Sequence, residues 1–189
     1  HVSITAIFAA SPLATRQGGV DIEAIRHALE GSLHLAPRCR QKLAFTPCER
    51  HPVWIDDRDF QLDYHLRHTA LPKPGSDEQL KNLAARIMSR PLDRARPLWE
   101  IWIVEGLQAG RFAMISKLHH CMAGSHDPVD LVHNLLEDSG EDRPASDVPA
   151  FLPRPAPTAF ELLRDDLLRH VARPFQLARA IPDLPGQVE

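Results

Sequence analysis

Two extended apolar stretches constrain the fold more than any other feature: 99–104 (WEIWIV) and 111–118 (RFAMISKL). Both are rich in the β-branched and aromatic side chains that favour strands. The segment Gly106–Gly110 lies between them, and glycine permits the backbone conformations of a tight reversal. The sequence therefore predicts an antiparallel hairpin whose second strand runs directly into the pair His119-His120.

Three further short stretches have the composition of strands. The chain opens with alternating β-branched residues over 2–9, and 53–55 and 59–66 are interpreted as short strands around a turn at Asp56-Asp57. Strands that are interspersed with helices in this order indicate the α+β class, with a mixed or antiparallel sheet.

Helices are predicted where a capping residue precedes an apolar face of helical period. The first is expected to end near Pro37, and Pro91 stops the second. The predicted caps are Asp21, Ser76 with Gln79, Asp127, and Thr158 with Glu161. The residues expected to face a core are Ile22, Ile25, Leu29, Leu80, Leu83, Ala84, Ile87, Leu131, Val132, Leu135 and Leu136.

Composition narrows the class of protein. The chain has 189 residues, enough for one sizeable core, and its net charge of −3 with interspersed signs argues against a nucleic-acid partner. The cysteines Cys39, Cys48 and Cys121 have neither metal-site spacing nor the even number of a disulfide framework, so a reducing, cytoplasmic location is expected. No apolar run reaches the ~18 residues of a membrane span, and no signal peptide is visible.

A change of composition divides the chain. Five prolines fall among acidic and small residues in 139–157, which indicates a linker between a domain over 1–138 and a connector helix over 158–189. A linker that leads to a single further helix predicts a second domain beyond the chain. The opening within a strand, without an initiator methionine, likewise predicts residues before His1.

The His pair is the candidate for chemistry. A neutral imidazole titrates near pH 6.5, so it can take a proton from an alcohol at cell pH. Because adjacent side chains of an extended chain point to opposite faces, one ring can face a cavity while the other packs inward. Two alternatives are a nucleophilic Cys121, for which a small buried residue is the preferred interpretation, and a metal cluster of His119, Cys121 and His126, whose spacing fits no usual zinc pattern.

The segment 91–100 (PLDRARPLWE) resembles the PLDxxRPLWE signature of the bacterial wax ester synthase/diacylglycerol acyltransferase (WS/DGAT) family. The predicted hairpin and the His pair follow it in the order and spacing of that family, whose His motif is HHxxxDG. The resemblance covers about 20–136. It implies the wider group of chloramphenicol acetyltransferases and condensation domains, and hence the N-terminal half of a two-domain fold with a mixed sheet flanked by helices.

The resemblance implies an O-acyltransferase. In the family the second motif histidine, here His120, removes the proton from the acceptor hydroxyl, and His119 is its structural neighbour. The implied reaction moves a fatty acyl group from acyl-CoA to a long-chain alcohol or diacylglycerol, with acyl-CoA as substrate and no cofactor or metal. A carrier-dependent condensation domain and a non-catalytic relative are the alternatives. The fragment alone is expected to be inactive because the facing half is absent.

The signature contributes further candidate site residues. Its two arginines are expected to pair with its two acidic residues and so hold the loop, and its second proline is expected to make the loop rigid. Its tryptophan is expected to lie in the core, and the same is expected of Trp102. These residues are Asp93, Arg94, Arg96, Pro97, Trp99 and Glu100.

The His motif departs from HHxxxDG. Gly124 stands at the position of the motif Asp, and Ser125 at that of the motif Gly. A loop absent between Ala123 and Gly124 is the favoured explanation. The others are an inactive relative and a bracing role for Asp127, which is already expected to cap a helix.

Two surfaces carry basic side chains. Arg38, Arg40 and Lys42 are candidates for contact with CoA phosphates, although a solvated face is the preferred interpretation. The predicted helix over 160–173 combines apolar and arginine side chains, which is typical of contact with an anionic lipid surface. Packing on the second domain is preferred there. Family members associate peripherally with membranes and lipid inclusions, so such contact is expected alongside a cytoplasmic location.

Overall fold

The computed structural model describes residues 1–15, 19–122 and 151–168. The chain forms two compact units, of which one comprises His1–Lys42 and Asp56–Pro153 and the other Leu43–Ile55 and Arg154–Glu189. The predicted linker over 139–157 stays a prediction, because most of it lies outside the described residues.

Six strands occur in the described residues, and a four-stranded sheet organises the first unit. The strands are β1 (Val2–Ala9), β2 (Gln41–Phe45), β3 (Pro52–Asp56), β4 (Leu66–Ala70), β5 (Trp99–Leu107) and β6 (Arg111–Leu118). The large sheet has the order β1-β6-β5-β4, and β2 pairs with β3 separately. β6 is antiparallel to β5 and β1, as the hairpin prediction requires, whereas β4 is parallel to β5. The mixed sheet confirms the predicted class.

The helices described in the first unit are α1 (Ile22–Ser32), α2 (Leu62–His65) and α3 (Asp77–Ser89). The first and third begin at the predicted caps, whereas α2 was not predicted and has no side-chain cap. At α1 the carboxylate of Asp21 accepts a hydrogen bond from the backbone N–H of Ala24 at 3.0 Å. At α3 the side chains of Ser76 and Gln79 each accept from the other residue's backbone N–H, which is a complete capping box.

The main core lies between α3 and one face of the large sheet. The predicted apolar face of α3 packs there against inward residues of β5 and β6, which alternate along each strand. The buried members of this cluster are Leu80, Ile87, Val104, Leu107, Ala113 and Ile115, with Leu71, Leu83, Ala84 and Trp102 packed at its margin.

Two local predictions are wrong. The segment 59–66 is not a strand, because it contains the short helix α2 and only then enters β4. The first helix ends at Ser32 rather than near Pro37, since the chain turns at residues 33–35 before a short 3-10 segment, Pro37–Arg40. Strand β2 follows that segment and was not predicted.

The second unit contains the β2–β3 turn and a helix over 159–168, here α4. Thr158 and Glu161 form the predicted capping box, since each backbone N–H donates to the other residue's side chain. The carboxylate of Asp166 accepts the backbone N–H groups of Cys48 and Glu49 at 3.1 and 3.2 Å. Within the described ranges, every helix is too short or too polar to cross a membrane.

Candidate active site

The His pair lies at the end of β6, where the chain leaves the sheet. The backbone N–H of His119 donates to the carbonyl of Leu98 at 2.9 Å. A short 3-10 turn follows, His120–Met122, and the N–H of Met122 donates back to the carbonyl of His119 at 2.9 Å. The side chain of Met122 is only 3% exposed and anchors the turn in the core. Both histidines are therefore held at a defined point beside the sheet.

The ring of His119 is half-buried, and its Nδ1 atom is occupied. The backbone N–H of Cys121 donates to Nδ1 at 3.3 Å, and the Sγ atom of the same residue lies 3.0 Å away. Nδ1 thus lies within hydrogen-bond distance of both polar groups of Cys121. Burial lowers the pKa of His119, and the neighbouring Arg94 and His120 act in the same direction. The Nδ1 atom of His119 is thus engaged within the turn itself.

The ring of His120, in contrast, is exposed. Among the residues that the structure describes, no hydrogen bond or ion pair joins it to a partner. Within these residues, His120 is the member of the pair whose ring nitrogens are not engaged, as a general base requires. The geometry is compatible with His120 as base and His119 as its neighbour, and this assignment stays a prediction.

Cys121 is exposed, and the prediction of a small buried residue is wrong. The reason is its place in the 3-10 turn, where the core-facing position is taken by Met122. Partial desolvation of the thiol raises the pKa of Cys121 above its usual value. A nucleophilic cysteine needs the opposite shift, toward thiolate. The direction of this shift does not favour Cys121 as a nucleophile.

The signature loop comprises residues 91–98, and its first half is held by the carboxylate of Asp93. Asp93 accepts the backbone N–H of Ala95 at 2.9 Å and forms a long ion pair, 3.9 Å, with Arg96. The Tyr64 hydroxyl donates to the same carboxylate at 3.4 Å, and the Arg96 guanidinium lies 4.1 Å from the centre of the Tyr64 ring. The expected pairing of Asp93 with Arg96 is confirmed.

The other expected pairing is wrong. Glu100 does not pair with the loop arginines. Its carboxylate lies on the same face of the sheet as Lys117, 3.4 Å from the Lys117 ammonium and 3.8 Å from the Arg67 guanidinium. Arg94 is exposed, and its positive charge acts on His119 and Cys121. The structure therefore places Arg94 near the His pair, and it places Glu100 in β5, opposite Lys117 of β6.

The second half of the loop is buried. Pro97, Leu98 and Trp99 are all in the interior, and the backbone N–H of Trp99 donates to the carbonyl of Pro97 at 3.0 Å. The Trp99 indole N–H donates to the carbonyl of Cys39 at 2.8 Å. The His65 ring stacks on the indole at 4.6 Å and bonds the Trp99 carbonyl through Nδ1 at 2.8 Å. The prediction of Trp99 as a core residue is confirmed.

Two buried polar residues near the site, Lys117 and His65, were not predicted. A signal existed for Lys117, because alternation along β6 assigns it the same inward face as Ala113 and Ile115. No comparable signal existed for His65, whose burial depends on α2 and on contact with Trp99 from a distant segment.

The remaining motif positions Gly124 and Asp127 lie outside the described residues. The three explanations for the altered motif therefore remain open. His126 of the alternative metal cluster also lies outside them, and the described segments contain no group of three or more potential ligands.

Two of the basic residues at the start of β2 and just before it, Lys42 and Arg40, are engaged within the first unit. Lys42 forms a 2.8 Å ion pair with Asp57, whose side chain is 3% exposed. The guanidinium of Arg40 lies 4.7 Å from the centre of the Phe151 ring. Lys42 and Arg40 thus contact other residues of the first unit, whereas the preferred interpretation was a face in contact with solvent alone.

The fold is that of the condensation-domain group. The starter condensation domain of rhizomide synthetase RzmA matches with a TM-score of 0.55 over 90% of this chain and 38% of that chain, at 8% identity. Similarity at so low an identity concerns the fold alone. It agrees with the expected α+β half of a chloramphenicol acetyltransferase-like architecture.

Sequence comparison is more specific. Residues 1–188 match the family described as wax ester synthase/diacylglycerol acyltransferase catalytic domain. The chain belongs to this family. A probable diacylglycerol O-acyltransferase of Mycobacterium tuberculosis, tgs3, is 38% identical over 166 residues, which are 87% of this chain and 61% of the relative. Another from the same organism, tgs1, is 41% identical over 150 residues, 78% of this chain and 32% of the relative. The chain thus spans only part of each relative.

Proposed function

We propose that the protein transfers a fatty acyl group from acyl-CoA to the hydroxyl of a long-chain alcohol or a diacylglycerol. The observation that carries this proposal is the contrast within the His pair: His119 has Nδ1 engaged with Cys121, whereas His120 is exposed and has no hydrogen-bond partner among the described residues. Family membership and the two mycobacterial relatives support the substrate class.

The reaction follows from the chemistry of an exposed imidazole. His120 removes the proton from the acceptor hydroxyl as its oxygen attacks the thioester carbonyl. The carbon–sulfur bond of the tetrahedral intermediate then breaks, and the CoA thiolate leaves and takes the proton from the imidazolium. An ester and free CoA are the products, so no acyl-enzyme, cofactor or metal is required.

The decisive experiment uses protein expressed from the complete gene. Palmitoyl-CoA is supplied with hexadecanol or dioleoylglycerol, and CoA release and the ester product are both measured. His120→Ala is expected to lower kcat by roughly 10²–10⁴-fold, the usual contribution of a general base. His27→Ala, an exposed histidine on α1, is the matched control.

The outcomes separate the alternatives. Activity only with a carrier-bound acyl donor supports the condensation-type reaction instead. Absence of activity with either donor supports a non-catalytic relative. Residues 1–189 alone form a further arm, expected to release no CoA because the second half of the fold is proposed to form the facing wall. Full activity of His120→Ala would contradict the assigned base.

Lipid contact belongs to the same proposal. The side chains of Phe160, Leu167 and Leu168 on α4 are 75%, 62% and 60% exposed. Exposed apolar side chains on one helix favour peripheral association with a membrane or a lipid inclusion, where a water-insoluble acceptor would be found.

A further inference from the structure

Lys117 is a buried lysine two residues before the His pair. Its side chain is fully buried, on the inward face of β6. The ammonium donates to the carbonyl of Ile87 at 2.7 Å and to the carbonyl of Arg90, and it lies 3.4 Å from Oε1 of Glu100. A lysine ammonium has three donors. Each of them therefore has an acceptor, which explains how a charge is tolerated in the interior.

The ammonium sits at the end of the apolar core rather than within it. Ile115, the preceding inward residue of β6, still packs under α3. At the next inward position, Lys117 lies opposite Glu100 in the antiparallel pairing of β6 with β5. Glu100 also meets Arg67 of β4 at 3.8 Å. A row of charges thus crosses three strands at the sheet end that carries the His pair.

The carbonyls that Lys117 binds mark the place where α3 ends. Ile87 is in the last turn of α3, and Arg90 is its C-cap, from which the chain enters the signature loop 91–98. A cation beside the carbonyls of a helix C-terminus is favoured by hydrogen bonding and by the helix dipole. Lys117 therefore fastens the beginning of the loop to the last residues of β6.

The end of the loop is fastened to the same short segment. Leu98 accepts the backbone N–H of His119 at 2.9 Å. Between its two fixed ends the loop carries Arg94, whose charge acts on the His119 ring. The two anchors, the Lys117 side chain and the His119 backbone, are separated by a single residue, Leu118, which is itself buried.

We propose that Lys117, with Glu100 as its partner, is a positioning residue that holds the signature loop against the His119–His120 turn. The inference rests on the proposed function, since it concerns the geometry of that catalytic site. In this proposal Glu100, the glutamate of the signature, does not contact the substrate. It acts by holding the Lys117 ammonium against the carbonyls at the end of α3. Loss of the ammonium releases the start of the loop and loosens the backbone that orients His119 and His120.

The test is made on protein expressed from the complete gene, with Lys117→Met as the main variant. Methionine matches the unbranched apolar stem of lysine but lacks the terminal ammonium and its donors. We expect kcat for palmitoyl-CoA to fall by roughly 10- to 100-fold, with a smaller change in KM, because catalysis is sensitive to sub-ångström displacement of reacting groups. We expect amide exchange of His119 to accelerate by about tenfold or more.

Ile115→Val is the matched control. It lies on the same strand and face, is buried, and packs under α3, but its apolar side chain has no donor for the carbonyls of Ile87 and Arg90. We expect its kcat and the exchange of the His119 amide to stay close to the wild type, although its thermal midpoint falls. If Lys117→Met does not fold, Lys117→Met/Glu100→Met replaces it, because exchange of a buried ion pair for apolar residues is often tolerated.

The two readouts distinguish this proposal from the proposed function. An unchanged exchange rate at the His119 amide in the lysine variants overturns the positioning role, whatever the activity. A kcat of the lysine variants that is no lower than the kcat of Ile115→Val also overturns the positioning role. If the wild-type protein transfers no acyl group while the His119 amide loses protection in Lys117→Met, the proposed function fails and the structural link between Lys117 and the His turn stands.

Discussion

At the scale of single residues, burial separates side chains that are alike in the sequence. His119 and His120 are adjacent, yet one has Nδ1 committed to Cys121 and the other is exposed. His65 is a third case, with a ring that is 1% exposed and stacked between the rings of Phe60 and Trp99. Three identical imidazoles thus differ in what their nitrogens can do, because each meets a different set of neighbours.

The buried His65 gives a prediction for acid stability. Burial lowers the pKa of His65, so the folded protein leaves it neutral at a pH where the unfolded chain, with a pKa near 6.5, takes up a proton. The His65 contribution is fully present above about pH 6.5 and is lost as the pH falls toward the lower folded pKa, by at most about 1.4 kcal/mol per pH unit. The thermal midpoint of His65→Gln should therefore depend less on pH, between about 7.5 and 5.5, than that of the wild type.

The exposed His27 on α1 supplies the control for this measurement. The thermal midpoint of His27→Gln should depend on pH as that of the wild type does, because the imidazole removed there is exposed and the buried His65 stays in place. Equal pH dependence of the wild type and His65→Gln would show that the buried ring does not contribute as described.

At the scale of elements, close backbone contacts decide where α3 meets the hairpin. The β-bulge between Val104 and Leu107 brings Gly106 against the segment that precedes α3. Gly75 has φ +73, and a Cβ atom there would lie 1.8 Å from the carbonyl oxygen of Gly106. Both glycines are thus required by geometry, and the start of α3 is set by the same contact.

We therefore expect Gly75→Ala to lower the free energy of unfolding by roughly 2–5 kcal/mol, through the left-handed backbone and the overlap together. Gly31→Ala is the matched control, because nothing lies within 4 Å of a Cβ there and the residue is within α1. It should be neutral or stabilising by about 0.5–1 kcal/mol. Denaturant or thermal unfolding of the two variants compares them directly, and equal stability would contradict the assigned contact.

At the scale of the whole molecule, the chain spans only part of the length of the relatives that it matches. It spans 61% of tgs3 and 32% of tgs1. The helix α4 of the second unit buries Asp166 but leaves apolar side chains exposed, so its outer surface is available to another partner. We expect that partner to be a lipid surface.

Sedimentation with phosphatidylglycerol-containing vesicles tests this expectation. Phe160→Ser/Leu167→Ser should weaken binding by about tenfold or more, because two exposed apolar side chains would no longer enter the interface. Leu152→Ser is the control, since Leu152 is 84% exposed but precedes the helix. Equal binding by the double variant and the wild type would exclude α4 as the contact.

The sequence by itself determined those features that depend on neighbours along the chain. Strand composition and glycines predicted the hairpin, capping residues predicted the starts of α1, α3 and α4, and the signature and His pair pointed to the family. Segment 59–66 was misjudged because its apolar residues suit both a strand and the short helix α2. Local signals are sufficient where one conformation is clearly favoured, and they fail where it is not.

Only the tertiary structure decided which polar groups meet across distant segments. It paired Glu100 with Lys117 rather than with the loop arginines, and it buried His65 beneath Trp99. It also exposed Cys121, which the sequence suggested would be buried. The physical reason is that a charge or a ring in the interior must find its partners in three dimensions, and strand register and helix packing determine which partners are within reach.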